Sequence, residues 1–244
     1  MRKIKTNDGS YTFLDSDIKE VYNPLYGAVK RANDVYVNQI DFAKYKKLRI
    51  LDIGFGLGYN SLCVIEKCIQ NNIKLEIFAI EKNSLILNEI ESLVISQNLI
   101  NSFDILKKGV KLKKLRTDNI NFKLEVRNAS NIVKNINDKF DVILLDPFSY
   151  VKNKELYGRK FLSDLKNLLD EEGFLVCHNS NPILLNNLIE NKYNIKKYKI
   201  KEYEYGVIAS SFLKLKLGEK DEKLAKAFGD DFKIDGKQFK YDEI

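Results

Sequence analysis

The stretch Arg49-Ile50-Leu51-Asp52-Ile53-Gly54-Phe55-Gly56-Leu57-Gly58-Tyr59-Asn60 decides the fold. An apolar run ends in an acid, three alternating glycines follow, and a helical pattern begins. This is how a buried parallel strand turns tightly into a helix N-terminus and leaves a backbone floor for a nucleotide-like ligand. The spacing separates ligand classes. A dinucleotide fingerprint reads G-x-G-x-x-G. Here the glycines read G-x-G-x-G, and Tyr59 stands where that fingerprint has its third glycine. A bulky side chain there disturbs the close helix–strand approach and the pyrophosphate seat. An adenosyl ligand fits the pattern better, and the expected cofactor is S-adenosylmethionine (AdoMet).

Outward from this stretch, strand-like and helix-like patterns alternate. Strands are expected at 48–53, 75–81, 121–127, 140–146 and 174–178. The intervening segments carry apolar residues at helical spacing, such as Ile86, Ile90, Leu93 and Val94, or Phe161, Leu165, Leu168 and Leu169. Such alternation implies an α/β fold, a parallel sheet with helices on both faces. Residues 193–203 and 205–217 are successive β-rich runs with no helix between them, and read as an antiparallel hairpin at the sheet edge. Five βα units closed by such a hairpin describe the Rossmann-like, seven-stranded sheet of class I AdoMet-dependent methyltransferases. The expected organisation is an N-terminal appendage (1–45), the methyltransferase domain (46–217) and a charged tail (218–244) forming a short helix or a loose end.

The chain has 244 residues, a net charge of +7 and a single histidine, His178. The basic balance favours a polyanionic partner such as RNA. Residues 107–116 concentrate it, with Lys107, Lys108, Lys111, Lys113, Lys114 and Arg116 read as a basic insertion before the third strand. One histidine argues against a His-based metal site. Cys63, Cys68 and Cys177 are too scattered for a disulfide framework and are expected to be small buried hydrophobes in a reducing compartment. The N-terminus lacks the apolar core of a signal peptide, and no run approaches a membrane span. A cytoplasmic protein is expected.

Ligands of open parallel sheets sit at the carboxyl ends of the strands. The first end offers Asp52, Gly54, Gly56, Gly58 and Asn60: backbone for the methionine and ribose parts, and a carboxylate for the ammonium or sulfonium, directly or through water. The second ends at Glu81, where a ribose-binding acid is expected. The third supplies Asn128 for the adenine amine, though Asn also caps helices, and Ala129 to leave room for the ring. The fourth carries Asp146-Pro147-Phe148-Ser149. An acid–Pro–aromatic corner can hold a planar base by stacking on Phe148 while Asp146 accepts from the amine to be methylated.

Asp146-Pro147-Phe148-Ser149 followed by Lys152-Asn153-Lys154-Glu155-Leu156-Tyr157 resembles the D-[AP]-F-[SA]-P-x-K-N-P-E-x-W signature of MnmC-type tRNA methyltransferases. The glycine loop is similar to that family's G-F-G-x-G-x-N, and the segments Thr6-Asn7-Asp8-Gly9-Ser10 and 20–28, which contains Tyr22, are similar to its opening motifs. The resemblance implies N-methylation of the aminomethyl group of 5-aminomethyl-2-thiouridine at the tRNA wobble position. It also implies a substrate pocket with Tyr22, Phe148, Lys152 and Tyr157, and a separate upstream enzyme that makes the aminomethyl group. With no second glycine fingerprint, a stand-alone methyltransferase without the FAD-dependent oxidase is expected. The chain departs from the family pattern at Tyr150 (for Pro), Tyr157 (for Trp) and Arg31, where an acid is expected. Rival readings are a polyamine aminopropyltransferase or small-molecule methyltransferase on the same fold, and a non-catalytic RNA-binding module. The first would want a more acidic site, and the last a damaged glycine loop or a lost Asp146.

Overall fold

The computed structural model describes residues 1–201 and 204–227. In chain order the elements are β1 (Arg2–Lys5), β2 (Tyr11–Asp15), β3 (Glu20–Val21), α1 (Ala28–Arg31), β4 (Lys47–Ile53), α2 (Tyr59–Gln70), β5 (Lys74–Glu81), α3 (Ser84–Glu89), α4 (Ile100–Leu112), β6 (Lys114–Arg116) and β7 (Ile120–Val126). There follow α5 (Ala129–Ile132), β8 (Phe140–Leu145), α6 (Lys154–Tyr157), α7 (Arg159–Leu168), β9 (Leu169–Cys177), α8 (Pro182–Glu190), β10 (Asn194–Lys199), β11 (Tyr205–Ser210) and α9 (Glu219–Ala227).

The main sheet has the order β10-β11-β9-β8-β4-β5-β7-β6. Its five central strands, β9-β8-β4-β5-β7, are parallel, as βαβ crossovers require. The run Ile50–Ile53 sits in the middle of the sheet, flanked by β5 and β8, and none of its residues reaches solvent. That explains why it reads as continuous apolar sequence interrupted by one acid. One buried cluster lies under α2 and α4 and includes Leu62, Ile65, Phe103 and Leu106. The other lies under α7 and α8 and includes Phe161, Leu165, Leu184 and Leu188.

The sheet has eight strands, not seven. The extra one, β6, pairs antiparallel with the edge of β7, Leu115 opposite Phe122. The stretch 107–116 is therefore no insertion. It is the end of α4, a left-handed turn at Lys113 (φ 57°), and this strand. The hairpin β10–β11 is present, with β11 placed between β10 and β9 and antiparallel to both. Helix α3 stops at Glu89, short of the expected pattern: Leu93 is buried but Val94 is 61% exposed. All three cysteines are buried. In the tail, Glu219–Ala227 is helical; residues 228–244 of that tail, and 202–203 of the hairpin stretch, lie outside the described residues. Among the described residues no helix is long and apolar enough to cross a membrane.

Residues 1–45 are a wall of the same body rather than an appendage. The sheet β1-β2-β3 and the helical segment after it bury Phe13, Ala28, Ala32, Val35, Tyr36 and Val37 in the cluster under α2. Tyr59, the residue that displaces the dinucleotide glycine, locks this wall to α2. Its hydroxyl donates to the Tyr11 carbonyl at 2.8 Å and accepts from the Tyr11 amide at 3.2 Å. Helix α1 continues into a π-helical turn, Ala32–Tyr36, an irregularity often found beside functional sites.

Candidate active site

One cavity opens at the carboxyl ends of β4, β5, β7, β8 and β9, beside the strand-order switch at β4. The glycine loop forms its floor. The amides of Gly54 and Phe55 both donate to the Ile80 carbonyl at 3.1 Å, which ties the loop to β5. Gly54 has φ 79°, and a Cβ there would lie 2.3 Å from the Asp146 carbonyl oxygen. The loop can therefore cross β8 this closely only without a side chain. Gly56 (φ 52°) packs against the Tyr22 ring, and Asn60 also lines the cavity.

Glu81 ends β5 inside the cavity. Its Oε2 accepts from the Gly56 amide and its Oε1 from the Asn83 amide, both at 2.8 Å. Burial raises its pKa, and these backbone bonds partly offset the rise. Each oxygen keeps acceptor capacity for a diol. Asn128 and Ala129 line the next segment. The Asn128 Oδ1 caps α5, accepting from the Ser130 amide and hydroxyl at 3.0 and 2.9 Å. That leaves its Nδ2, a donor, to meet a ring nitrogen rather than an amine.

Two predicted cofactor residues do not reach the cavity. Asp52 is fully buried behind the loop, where its Oδ2 accepts from Ser61 Oγ at 2.6 Å. Burial pushes its carboxyl up to about 7 against the lowering effect of Ser61. A carboxylate so placed makes no direct contact with the cavity. Gly58 is the left-handed N-cap of α2 and packs against Phe55 and Leu106.

The fourth strand end departs most from expectation. The Asp146 side chain is 11% exposed at the cavity floor. Its Oδ1 accepts from Arg31 Nη2 at 2.6 Å and faces His178 Nδ1 at 3.2 Å. Its Oδ2 accepts from Arg31 Nη1 at 2.8 Å and Asn60 Nδ2 at 2.9 Å. A carboxylate has about four lone-pair sites; three hold hydrogen bonds from Arg31 and Asn60, and the remaining one faces His178. Burial alone would raise its pKa, but the charge and hydrogen bonds of Arg31, aided by His178, hold it well below the usual carboxylate range. The role of Asp146 as direct acceptor for an incoming amine is thereby corrected; it is an anchor for Arg31, Asn60 and His178. Arg31, conspicuous in sequence only as a departure, is the residue that occupies it.

Phe148 and Tyr22 form the opposite wall, edge to face with ring centroids 4.9 Å apart. Tyr22 accepts from Asn83 Nδ2 at 2.9 Å. The residues after the corner clamp it from behind. Asn153 Oδ1 accepts from the Phe148 amide and the Tyr157 hydroxyl donates to the Phe148 carbonyl, each at 2.8 Å. Tyr157 is fully buried and Lys152 is exposed; neither lines the cavity, so the structure does not place them in a substrate pocket. Sequence reasoning missed Glu20, whose carboxylate holds the amide and hydroxyl of Ser149 at the rim. It also missed His178 at the end of β9 as a cavity residue. Each lies far in sequence from the corner it serves.

The family described as S-adenosyl-L-methionine-dependent methyltransferase matches residues 91–203. The uncharacterized protein MJ0670 of Methanocaldococcus jannaschii is 24% identical over 182 residues, covering 72% of this chain and 50% of that protein. The tRNA 5-methylaminomethyl-2-thiouridine biosynthesis bifunctional protein MnmC of Leptospira interrogans is 27% identical over 146 residues, 56% of this chain and 23% of that protein. The chain thus spans half or less of the length of these curated relatives. The crystal structure of MnmC2 from Aquifex aeolicus superposes with a TM-score of 0.80 at 24% identity, covering 93% of this chain and 74% of that one. The fold is that of class I methyltransferases, and within it residues 91–203 are similar to the S-adenosyl-L-methionine-dependent methyltransferase family. Over 56% of its length the chain is similar in sequence to MnmC proteins, and its fold is similar to that of MnmC2.

Proposed function

We propose that the protein transfers a methyl group from AdoMet to the aminomethyl nitrogen of 5-aminomethyl-2-thiouridine at the tRNA wobble position. The observation that carries this reading is that one cavity joins two kinds of surface. Its glycine floor and Glu81 suit an adenosyl ribose, and its Phe148–Tyr22 wall suits a flat base. The similarity to MnmC proteins supplies the choice of acceptor.

The residues present fit the cofactor. Gly54 and Gly56 line the cavity with backbone alone, and Glu81 retains acceptor capacity beside them. Bound there, AdoMet supplies an electrophilic methyl on a sulfonium. In this reading Glu81 receives the ribose hydroxyls, and Asn128 and Ala129 border the adenine. Phe148 stacks on the uracil, and the Glu20–Ser149 contact fixes the rim of the corner. Orientation dominates such a transfer, because nitrogen and carbon must be aligned at roughly 3 Å.

The tRNA is the proposed partner, a separate enzyme supplies the aminomethyl group, and the reaction runs in the cytoplasm. Lys82 and Arg127 are exposed at the cavity mouth. Lys108, Lys111, Lys113, Lys114 and Arg116 are exposed along the end of α4 and β6. Lys107 instead pairs with Asp104 at 2.9 Å. Phosphate contacts by such side chains make affinity fall steeply with salt.

Nucleoside mass spectrometry of tRNA incubated with protein and AdoMet tests the reaction. The expected product is the aminomethyl nucleoside carrying one further methyl group. Binding of AdoMet with methyl transfer only to small amines would overturn the tRNA assignment and favour the small-molecule reading.

A further inference from the structure

We propose that His178 is the base that takes the proton from the acceptor ammonium, an inference that rests on the amine acceptor proposed above. A primary alkyl ammonium has no lone pair and cannot attack a methyl carbon, so a proton must leave before transfer. Asp146 is poorly placed to take it, because three of its acceptor positions hold hydrogen bonds from Arg31 and Asn60, the remaining one faces His178, and its charged form is strongly favoured. Of the other carboxylates lining the cavity, Glu81 is committed to the ribose in the reading above, and the others face partners of their own. Glu81 holds two backbone amides, Glu20 holds Ser149, and Glu204 faces Lys201 at 3.9 Å.

His178 differs in its hydrogen bonding. Its Nδ1 lies 3.2 Å from Asp146 Oδ1 and 3.3 Å from the Tyr36 hydroxyl. That hydroxyl is within 3.2 Å of the Leu145 carbonyl, to which it donates. Nδ1 therefore faces two acceptors, the Asp146 carboxylate and the Tyr36 oxygen. The proton of a neutral imidazole belongs on Nδ1, and Nε2 keeps its lone pair. Among the described residues nothing bonds Nε2, and the ring lines the cavity beside Asp146 and Phe148. The carboxylate–imidazole pair has the arrangement that fixes the tautomer of a general base and stabilises its charged form. Arg31 keeps Asp146 ionised, and Tyr36, at the end of the π-helical turn, is its other neighbour on the Nδ1 side.

The step balances. The ammonium passes one proton to Nε2, leaving a neutral amine and an imidazolium held by Asp146. The nitrogen lone pair then forms the N–C bond as the S–C bond breaks, and that electron pair returns to sulfur as a neutral thioether. The positive charge passes from sulfonium to the new secondary ammonium, and His178 gives its proton to solvent.

The sole histidine makes a direct test possible. Long-range proton–nitrogen NMR of untagged, nitrogen-labelled protein reads the tautomer without cofactor or substrate. The expected spectrum has Nδ1 protonated and Nε2 unprotonated in the neutral ring; a proton on Nε2 overturns the proposal. The second test is single-turnover methylation of tRNA by H178Q. A loss of about 10²–10⁴-fold is expected, the range for a positioned acid–base group, with AdoMet affinity unchanged by calorimetry. The lost rate should return with added imidazole, and with rising pH as free amine accumulates. A variant as fast as wild type, with wild type active on tRNA, overturns the base alone. Wild type that binds AdoMet yet leaves tRNA unmethylated overturns the acceptor and the base together.

Discussion

Arg31 grips both oxygens of Asp146, at 2.8 and 2.6 Å, across 115 positions of sequence. The pair closes the floor of the cavity where β4 and β8 end, and it bonds the N-terminal wall to the sheet. Both side chains are nearly buried, at 7% and 11% exposed. In so dry a place each ion depends on the other, and a bidentate fork is the geometry that makes the pairing tolerable.

Arg31→Met should therefore cost about 3–5 kcal/mol in denaturant unfolding, the scale for stranding one member of a buried pair. The pH dependence follows from the depressed pKa of Asp146. The unfolded chain takes up this proton near pH 4, and the folded protein does so only in stronger acid. Stability from the pair is complete above about pH 5 and is lost progressively as pH falls below about 4 toward the lower folded-state pKa. Unfolding measured from pH 3 to 7 should show this acid loss in wild type and a weaker one in Arg31→Met.

Asp52 carries the opposite slope. Its carboxyl holds a proton up to about 7 in the folded protein, but releases it near 4 when unfolded. Between those values the folded state binds more protons, so this group lowers stability as pH rises from about 4 to about 7, with no further change above. Asp52→Asn keeps an acceptor for Ser61 and removes the ionisation. It should match wild type near pH 4 and exceed it progressively to pH 7, by on the order of 4 kcal/mol. Thermal unfolding of both proteins across this range would show it; a constant difference would mean that Asp52 does not change protonation there.

How much of this was legible in sequence depended on how local the cause is. The turn at 54–58, the strand core 50–53 and the acid at 81 announce themselves because backbone conformation and burial are written in neighbouring residues. The main strands fall within a few residues of expectation for the same reason. Arg31, His178 and Glu20 gave no local signal, since their roles exist only where a helix, a strand end and a hairpin strand converge on one corner. Tyr157 misled because a motif position does not say which way a side chain faces. It lies against the back of Phe148 rather than in the cavity. The strand β6 was hidden by its lysines, which suit an exposed edge as well as an RNA-binding loop.

The two cavity glycines should fail differently. Gly54→Ala places a Cβ 2.3 Å from the Asp146 carbonyl, a contact with backbone that cannot swing aside. Its loss should appear in folding, at about 1–3 kcal/mol or more. Gly56 faces the Tyr22 ring, with the nearest carbon 3.1 Å from a built Cβ. Gly56→Val should lose AdoMet affinity by calorimetry through a side chain in the ligand's volume, with the smaller loss of stability. Unchanged affinity for Gly56→Val would remove the glycine loop from the cofactor seat.

Phe148 and its support Tyr157 separate recognition from scaffolding. If the ring stacks on the target base, Phe148→Ala should weaken tRNA binding by ~1–3 kcal/mol, the usual range for a base–aromatic stack. Tyr157→Phe keeps the ring but leaves the Phe148 carbonyl without its 2.8 Å donor. It should cost about 1–3 kcal/mol of stability, as for a buried group left unsatisfied. Any loss in turnover should then follow from a loosened corner. Lys152→Ala removes an exposed side chain outside the cavity and should leave AdoMet binding and stability unchanged. Fluorescence anisotropy with labelled tRNA, alongside unfolding curves for the same three variants, reads both quantities. Wild-type tRNA affinity in Phe148→Ala would reduce the ring to a packing partner of Tyr22. A larger tRNA defect in Tyr157→Phe than in Phe148→Ala would mean that the shape of the corner, rather than stacking, selects the base.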